Sequence, residues 1–350
     1  MSEEHSIAAY WSDGMNEDGL ADWARRLRAR LPAKEVSLGL VFMSPKFFPH
    51  AAQVLEILRL NQDQVEAVEG KTFWPGETGV APEKVNAWLA FIDAFRFDSE
   101  RWLRSWNENY PKKPVFGGLA SGQLPEPGAQ IYLDGDVYED GGVAIAVGGE
   151  VALDGVISQG CTPIGEPWTL TRVEQNLIRD IANRPAYAVL AETVQNLSPE
   201  DQRKVQGNLH IGLAVNEYLE EFHRGDFLIR NLLGGDPNSG VLAVGALPRM
   251  GQTIQFQRRD AAAASEDLNE LLTREKSRLA GHEIYGGVLF CCNGRGKNLF
   301  GRTSHDTQLV QAHLGPTGVA GFFCNGEIGP VGERNFLHGF TAALALFVKK

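Results

Sequence analysis

The chain has 350 residues, 43% of them hydrophobic and 22% charged. That composition excludes a wholly disordered or fibrous protein, and the length predicts about two domains. The 33 basic residues stand against 44 acidic ones, for a net charge of −11. With no Lys/Arg-rich block, this argues against a nucleic-acid or an acidic-membrane partner.

The first eighteen residues are polar and acidic, without the apolar core of a secretion signal. Leu20, Trp23, Ala24, Leu27 and Leu31 then form one apolar stripe, predicting a helix closed by Pro32. Residues 36–43 read as a strand. Ala51, Val54, Leu55 and Leu58 mark a second helix, 64–68 a short strand and 71–79 a loop. Residues 85–92 read as another strand, and 95–114 as an irregular stretch, either an insertion or lid-like segment or a surface excursion packed by Trp102 and Trp106. From 114 to 171 come short strands punctuated by Gly-Gly and Asp-Gly turns, with 144–147 and 151–158 as hairpin partners. A helix begins at Pro185, and the polar stretch 198–207 suits a linker. Strands follow at 209–215, 227–233, 241–245 and 253–258, then a helix over 260–279. The last strands are 286–292, 319–324 and a long one over 336–348. The apolar run 340–348 falls far short of the ~20 residues a membrane-spanning helix needs.

Helices alternate with strands only in places, so the expected class is α+β. Mixed β-sheets would be covered by helices, in two pseudo-related halves packed as a layered α/β sandwich. The relation shows in Leu38-Gly39-Leu40-Val41-Phe42 followed by Gly76-Glu77-Thr78-Gly79, against Gly287-Val288-Leu289-Phe290 followed by Gly326-Glu327-Ile328-Gly329. A weaker echo links 117–122 to 234–240. The expected organisation is a helical extension (1–35) and two domains (36–205 and 206–350), with a ligand cleft between the halves.

Three clusters carry candidate chemistry. In Cys292-Asn293-Gly294-Arg295-Gly296, a strand end meets glycines that free backbone amides and an Arg fork suited to a carboxylate. The alternation along that strand sends Cys291 and Cys292 to opposite faces. In Cys324-Asn325-Gly326-Glu327, a turn presents a carboxylate whose counterpart is Glu77. In Ser158-Gln159-Gly160-Cys161-Thr162, Gln159 and Cys161 would line the same cleft. His305-Asp306 offers a base for a Cys nucleophile, although no sequence feature places it near Cys292. Zinc-ligand spacings and nucleotide-binding glycine loops are absent. The four cysteines read as reduced thiols of a cytoplasmic protein.

These motifs resemble the FIST family (F-box and intracellular signal transduction). The first half carries Phe116-Gly117-Gly118-Leu119-Ala120 and Ser158 to Gly165. The second carries Leu289-Phe290-Cys291-Cys292-Asn293-Gly294-Arg295-Gly296 and Gly321 to Gly329. The resemblance implies a sensory module thought to bind small ligands, with amino acids or their derivatives proposed. Some bacterial members are tied to haem and nitric-oxide sensing. Family members act beside or fused to histidine kinases and cyclases, and eukaryotic relatives carry an F-box. Too few residues precede the first domain for an F-box, and no kinase or cyclase region follows. The expectation is a small-ligand sensor without assigned catalytic residues, signalling through a separate kinase or cyclase. Its candidate ligand residues are Cys292, Asn293, Gly294, Arg295, Cys324, Asn325, Glu327, Gln159, Cys161 and Glu77. The cofactor is unassigned. A cysteine-dependent hydrolase or transferase and a haem or nitric-oxide sensor are the alternatives.

Overall fold

A computed structural model describes residues 6–31, 36, 38–58, 74–122, 128–133 and 136–350. The chain opens with α1 (Glu17–Arg30), α2 (Ala51–Leu58) and the short α3 (Trp74–Glu77). The first α/β unit follows: β1 (Val85–Asp93), α4 (Ser99–Asn109), β2 (Val115–Ala120), β3 (Ile131–Leu133), β4 (Asp136–Tyr138), β5 (Gly142–Gly148) and β6 (Val151–Gln159). Next come β7 (Cys161–Glu174), β8 (Leu177–Ile181), β9 (Arg184–Pro185), α5 (Ala186–Gln195) and α6 (Pro199–Val205). The middle region ends with β10 (Leu209–Ala214), β11 (Phe227–Asp236), β12 (Val241–Val244), β13 (Thr253–Arg259) and α7 (Ala261–Arg278). The last unit holds β14 (Ile284–Cys292), α8 (Lys297–Phe300), α9 (His305–Leu314), β15 (Val319–Cys324), β16 (Glu327–Val331), β17 (Arg334–His338) and β18 (Thr341–Lys349).

The expected α+β layering is present. One five-stranded sheet has the order β17-β16-β2-β1-β5, and a four-stranded sheet has β15-β14-β18-β6. Strand alternation separates their two faces. Ala87, Leu89 and Phe116 of the first sheet meet Val288, Phe290 and Ala343 of the second in one inner core. On the outside, Trp88, Ala90 and Ile92 pack under Trp102, Leu103 and Trp106 of α4. Leu289, Cys291 and Leu344 pack under Leu268 and Leu272 of α7 and Val310 of α9. The result is four layers, helix–sheet–sheet–helix. Beside them, β7, β8, β12, β11, β10 and β13 close into a barrel through the β12–β8 pairing.

The duplication is real, but its units differ from those read in the sequence. β1 and β2 pair in parallel from Trp88↔Val115, with β5 antiparallel on the other side of β1. β14 and β15 pair in parallel from Gly287↔Val319, with β18 antiparallel on the other side of β14. Gly117 and Gly321 occupy matching positions. A Cβ at Gly117 would strike the carbonyl of Ala90, and one at Gly321 that of Leu289. Glycine is required there by close backbone approach. In contrast, residues 38–43 form no strand, and 64–68 lie outside the described residues. The second echo dissolves: 117–122 closes β2, whereas 234–240 belongs to the β11–β12 hairpin of the barrel.

The halves also exchange strands. β16, from the second unit, pairs with β2 of the first through Glu327↔Gly118 and Ile328↔Gly117. β6, from the first unit, runs along β18 of the second from Thr341↔Gln159 to Lys349↔Val151. Hence 144–147 and 151–158 are not hairpin partners. The turn between them hands the chain from one sheet to the other, a tertiary choice that overrides the local turn signal. Three local readings also change. The excursion 95–114 contains α4, capped by Asp98 accepting the Arg101 amide at 3.0 Å. The polar stretch 198–207 contains α6, capped by Ser198 and tied to the barrel by Arg258–Asp201 at 2.6 Å. The long final strand is two, broken at Gly339-Phe340, where Phe340 adopts φ 65°.

Candidate functional site

β14 and β15 end side by side, with Cys292 paired to Cys324. Their following turns are joined by Asn293 Nδ2 donating to Asn325 Oδ1 at 2.6 Å. As the alternation predicts, Cys291 faces the outer helices, while Cys324, beside Phe290, belongs to the inner core. The turn after Cys292 carries Arg295 inward. Arg295 is not a surface residue: it is 1% exposed. Its Nε and Nη2 grip Asp306 at 2.9 and 2.8 Å. Burial alone would raise the Asp306 carboxyl, but the Arg295 fork outweighs it and holds Asp306 below the usual carboxylate range. Only Nη1 of Arg295 is left without a partner. A full anion-binding fork at Arg295, as the sequence suggested, is therefore already occupied from within.

Asp306 continues into a chain of polar contacts. His305 Nδ1 meets Asp306 Oδ1 at 3.1 Å, and His305 Nε2 meets Ser265 Oγ of α7 at 3.1 Å. His305 thus serves α7 and Arg295 and is not paired with Cys292. Phe300 stacks on its ring at 3.6 Å between centroids.

Glu327 begins β16 and is completely buried. Its Oε2 accepts the Thr341 hydroxyl at 2.7 Å and the Thr341 amide at 3.3 Å. Its Oε1 has no partner. Burial pushes this carboxyl up to about 8, against the pull of the Thr341 hydrogen bonds and of Arg295 and Arg259.

Arg259 is the residue that sequence reasoning missed. It ends β13, opposite Cys161 of β7, and its guanidinium lies 5.1 Å above the Phe340 ring. A Cβ on Gly294 would collide with that guanidinium, so the glycine makes room for it. Both Nε and Nη2, one edge of the fork, are buried without a partner. The available signal was Arg258-Arg259-Asp260 at a strand-to-helix junction, which reads equally well as surface charge. Arg258 does take that structural part, bonding Asp201 and Asp260.

The remaining candidates divide. Cys292 sits beside Arg259, and the amides of Gly294 and Phe340 point at its sulfur; burial and then Glu327 raise its thiol. Cys161 is 1% exposed, and burial pushes its thiol up to about 12. Gln159 pairs with Thr341 across β6–β18, but its amide is spent on the Phe227 carbonyl at 2.6 Å. Glu77 ends α3, whose Trp74 ring lies 5.2 Å from that of Trp106; the Glu77 side chain lies outside the described residues. Among the described residues there is no cluster of three or more metal-ligating side chains, and no helix is long and apolar enough to cross a membrane.

The paired units and the motifs at their strand ends define a class, and comparison with known proteins gives it a family. The FIST N domain description matches residues 14–184 and the FIST C domain description residues 186–330. The chain belongs to the FIST family, whose domains are sensory domains of signal transduction. It is similar to the uncharacterised protein Rv0628c of Mycobacterium tuberculosis, with 42% identity over 260 residues, spanning 74% of this chain and 67% of that protein. It is also 41% identical over 260 residues to the uncharacterised Mycobacterium bovis protein Mb0898c, with the same coverage.

Proposed function

We propose that this chain is a small-ligand sensor of intracellular signal transduction that binds a small carboxylate, such as that of an amino acid, where the barrel meets the β14–β15 strand ends. It passes the signal to a separate protein such as a histidine kinase or a cyclase. The carrying observation is the unpartnered, buried Nε/Nη2 edge of Arg259. Buried donors of a native protein are nearly always paired, and this edge has the spacing of a carboxylate. Arg295 Nη1 and Glu327 Oε1, also buried and unpartnered, supply further partners, since Arg259 and Arg295 both act on the Glu327 carboxyl.

Differential scanning fluorimetry with acetate, pyruvate, glycine and L-alanine tests the reading. A bound carboxylate raises the melting temperature through linkage, by RT ln(1 + [L]/Kd) in stability. Arg259→Gln abolishes the rise. Gly294→Ala, which displaces the guanidinium, reduces it while leaving the fold intact. A wild-type protein that responds to none of these carboxylates, or an Arg259→Gln protein that responds equally, would refute the proposal.

A further inference from the structure

We propose that Glu327 is a ligand-facing hydrogen-bond donor, held as a neutral carboxylic acid, and that a small carboxylate binds here only together with that proton. The inference rests on the anion-binding reading above and adds the protonation state and the partner atom to it.

The geometry carries the argument. Oε2 of Glu327 already accepts two hydrogen bonds from Thr341. Oε1 accepts none, although Arg259 and Arg295, whose charges act on this carboxyl, both keep unpartnered donors. Oxygen and donors do not satisfy one another, so a bridging group is needed to pair them. An ionised, half-paired carboxylate without any exposure is costly. A proton removes that cost, and it resides on Oε1, since Oε2 is the acceptor on both of its bonds. Ionised Glu327 would repel an arriving carboxylate; neutral Glu327 donates to it. An O–H···O⁻ bond of this kind is short and roughly twice as strong as a neutral one.

Arg295 and Arg259 act on Glu327 as nearby positive charges that pull its carboxyl down against burial. On the neighbouring strands, burial raises the thiols of Cys291, Cys292 and Cys324. Across β17, His338 pairs with Glu327, and burial lowers it to about 4. Burial and then Arg259 lower His210, whose ring centroid lies 4.1 Å from that of Phe340, to about 4. Of Glu327, these three thiols, His338 and His210, Glu327 is the one whose midpoint falls between pH 6 and 9.

Isothermal titration of acetate and pyruvate into the full chain, from pH 6.0 to 9.5, tests the inference. Both probes stay ionised throughout. The expected dissociation constant is level at low pH and rises about tenfold per pH unit above the Glu327 midpoint. At pH 9, in buffers of different ionisation enthalpy, one proton is taken up per anion bound. Glu327→Gln, which keeps a donor and cannot ionise, binds with a flat profile. A wild-type profile that is flat or tightens to pH 9.5, or zero proton uptake at pH 9, overturns the role of Glu327. If Arg259→Gln still abolishes binding in that case, the pocket stands without its proton. If Arg259→Gln binds both probes normally, or the wild type binds neither at any pH, the pocket reading itself falls.

Discussion

β1–β2 and β14–β15 follow the same plan, yet β1 ends in Asp93 and β14 in Cys292, at positions paired with Ala120 and Cys324. Asp93 folds its carboxylate back onto the amides of Phe95 and Arg96, at 3.2 and 2.6 Å. Its polar atoms are consumed in closing the turn. Beyond Cys292, the chain enters Asn293-Gly294-Arg295, where glycine admits Arg259 and leaves part of two guanidiniums unpaired. The helices differ in the same sense. α4 meets its sheet with aromatic rings, whereas α9 presents His305 and Asp306 to the Arg295 side. One copy of the unit is a packing device whose unpartnered buried donors are the indoles of Trp88 and Trp106, and the other holds unsatisfied charged groups over it. Two copies allow one to stabilise while the other keeps a costly site.

The largest effects should come from breaking each copy at its centre. Trp106 of the first copy has ring neighbours Trp88, Trp102 and Tyr110, each at 4.9 Å between centroids. Trp106→Ala should cost about 3–5 kcal/mol in urea unfolding. A loss under about 1 kcal/mol would show that the aromatic cluster does not anchor the sheet. In the second copy, Arg295→Met takes both guanidinium bonds from the buried Asp306 and leaves it the His305 contact, with an expected cost of about 3–5 kcal/mol. Adding Asp306→Leu should restore much of it, because the uncompensated charge goes too. If the double variant is no better than the single, the ion pair is not what makes Arg295 necessary.

These two anchors were unequally legible. The strand alternation that put Cys291 and Cys292 on opposite faces follows from covalent geometry alone, and the structure keeps it. The sandwich was visible in the same way, from runs of strand length. Strand exchange was not, because a Gly-Gly turn specifies a reversal and not the sheet that receives the next strand. The hairpin read over 144–147 and 151–158 failed for that reason. α4 was hidden by Trp102 and Trp106, which read as a surface excursion until sheet packing gave them a face. Arg295 was legible as important but not as buried, since its partner Asp306 lies beyond α8, on α9. Arg259 left only the ambiguous Arg258-Arg259-Asp260 signal, because its proximity to Gly294 is created by the barrel meeting the sheet.

The next effect separates the copies by pH. Folded Glu327 keeps its proton up to about 8, whereas an unfolded Glu releases it near 4.5. Between these values the native state binds the extra proton, so Glu327's contribution to stability is fully present below about 4.5 and is lost as pH rises towards 8. Glu327→Gln should match the wild type near pH 4.5 and gain on it steadily up to pH 8, by a few kcal/mol at most. His210 and His338 act oppositely. Buried neutral down to about 4, they remove stability as pH falls from 6.5 to 4. Urea midpoints of both proteins at pH 4.5, 6.5 and 8 give the difference directly. A gap that does not grow with pH would mean that Glu327 is ionised in the folded chain.

The smallest effect asks what holds the polar copy in place. Ser265 of α7 ties to His305 at 3.1 Å, and Asn269 of α7 ties to His313 at 2.8 Å, two rungs between α7 and α9. Ser265→Ala removes one hydrogen bond from a half-buried hydroxyl and should cost about 1 kcal/mol. Asp306, however, is fixed by two bonds from Arg295 as well as by His305. Losing the rung should therefore leave Arg295, and with it acetate affinity, within about twofold of wild type. A tenfold loss of affinity with only that small loss of stability would place the control of the pocket in the helix pair, and Ser265 would then be the residue through which α7 reads the bound state.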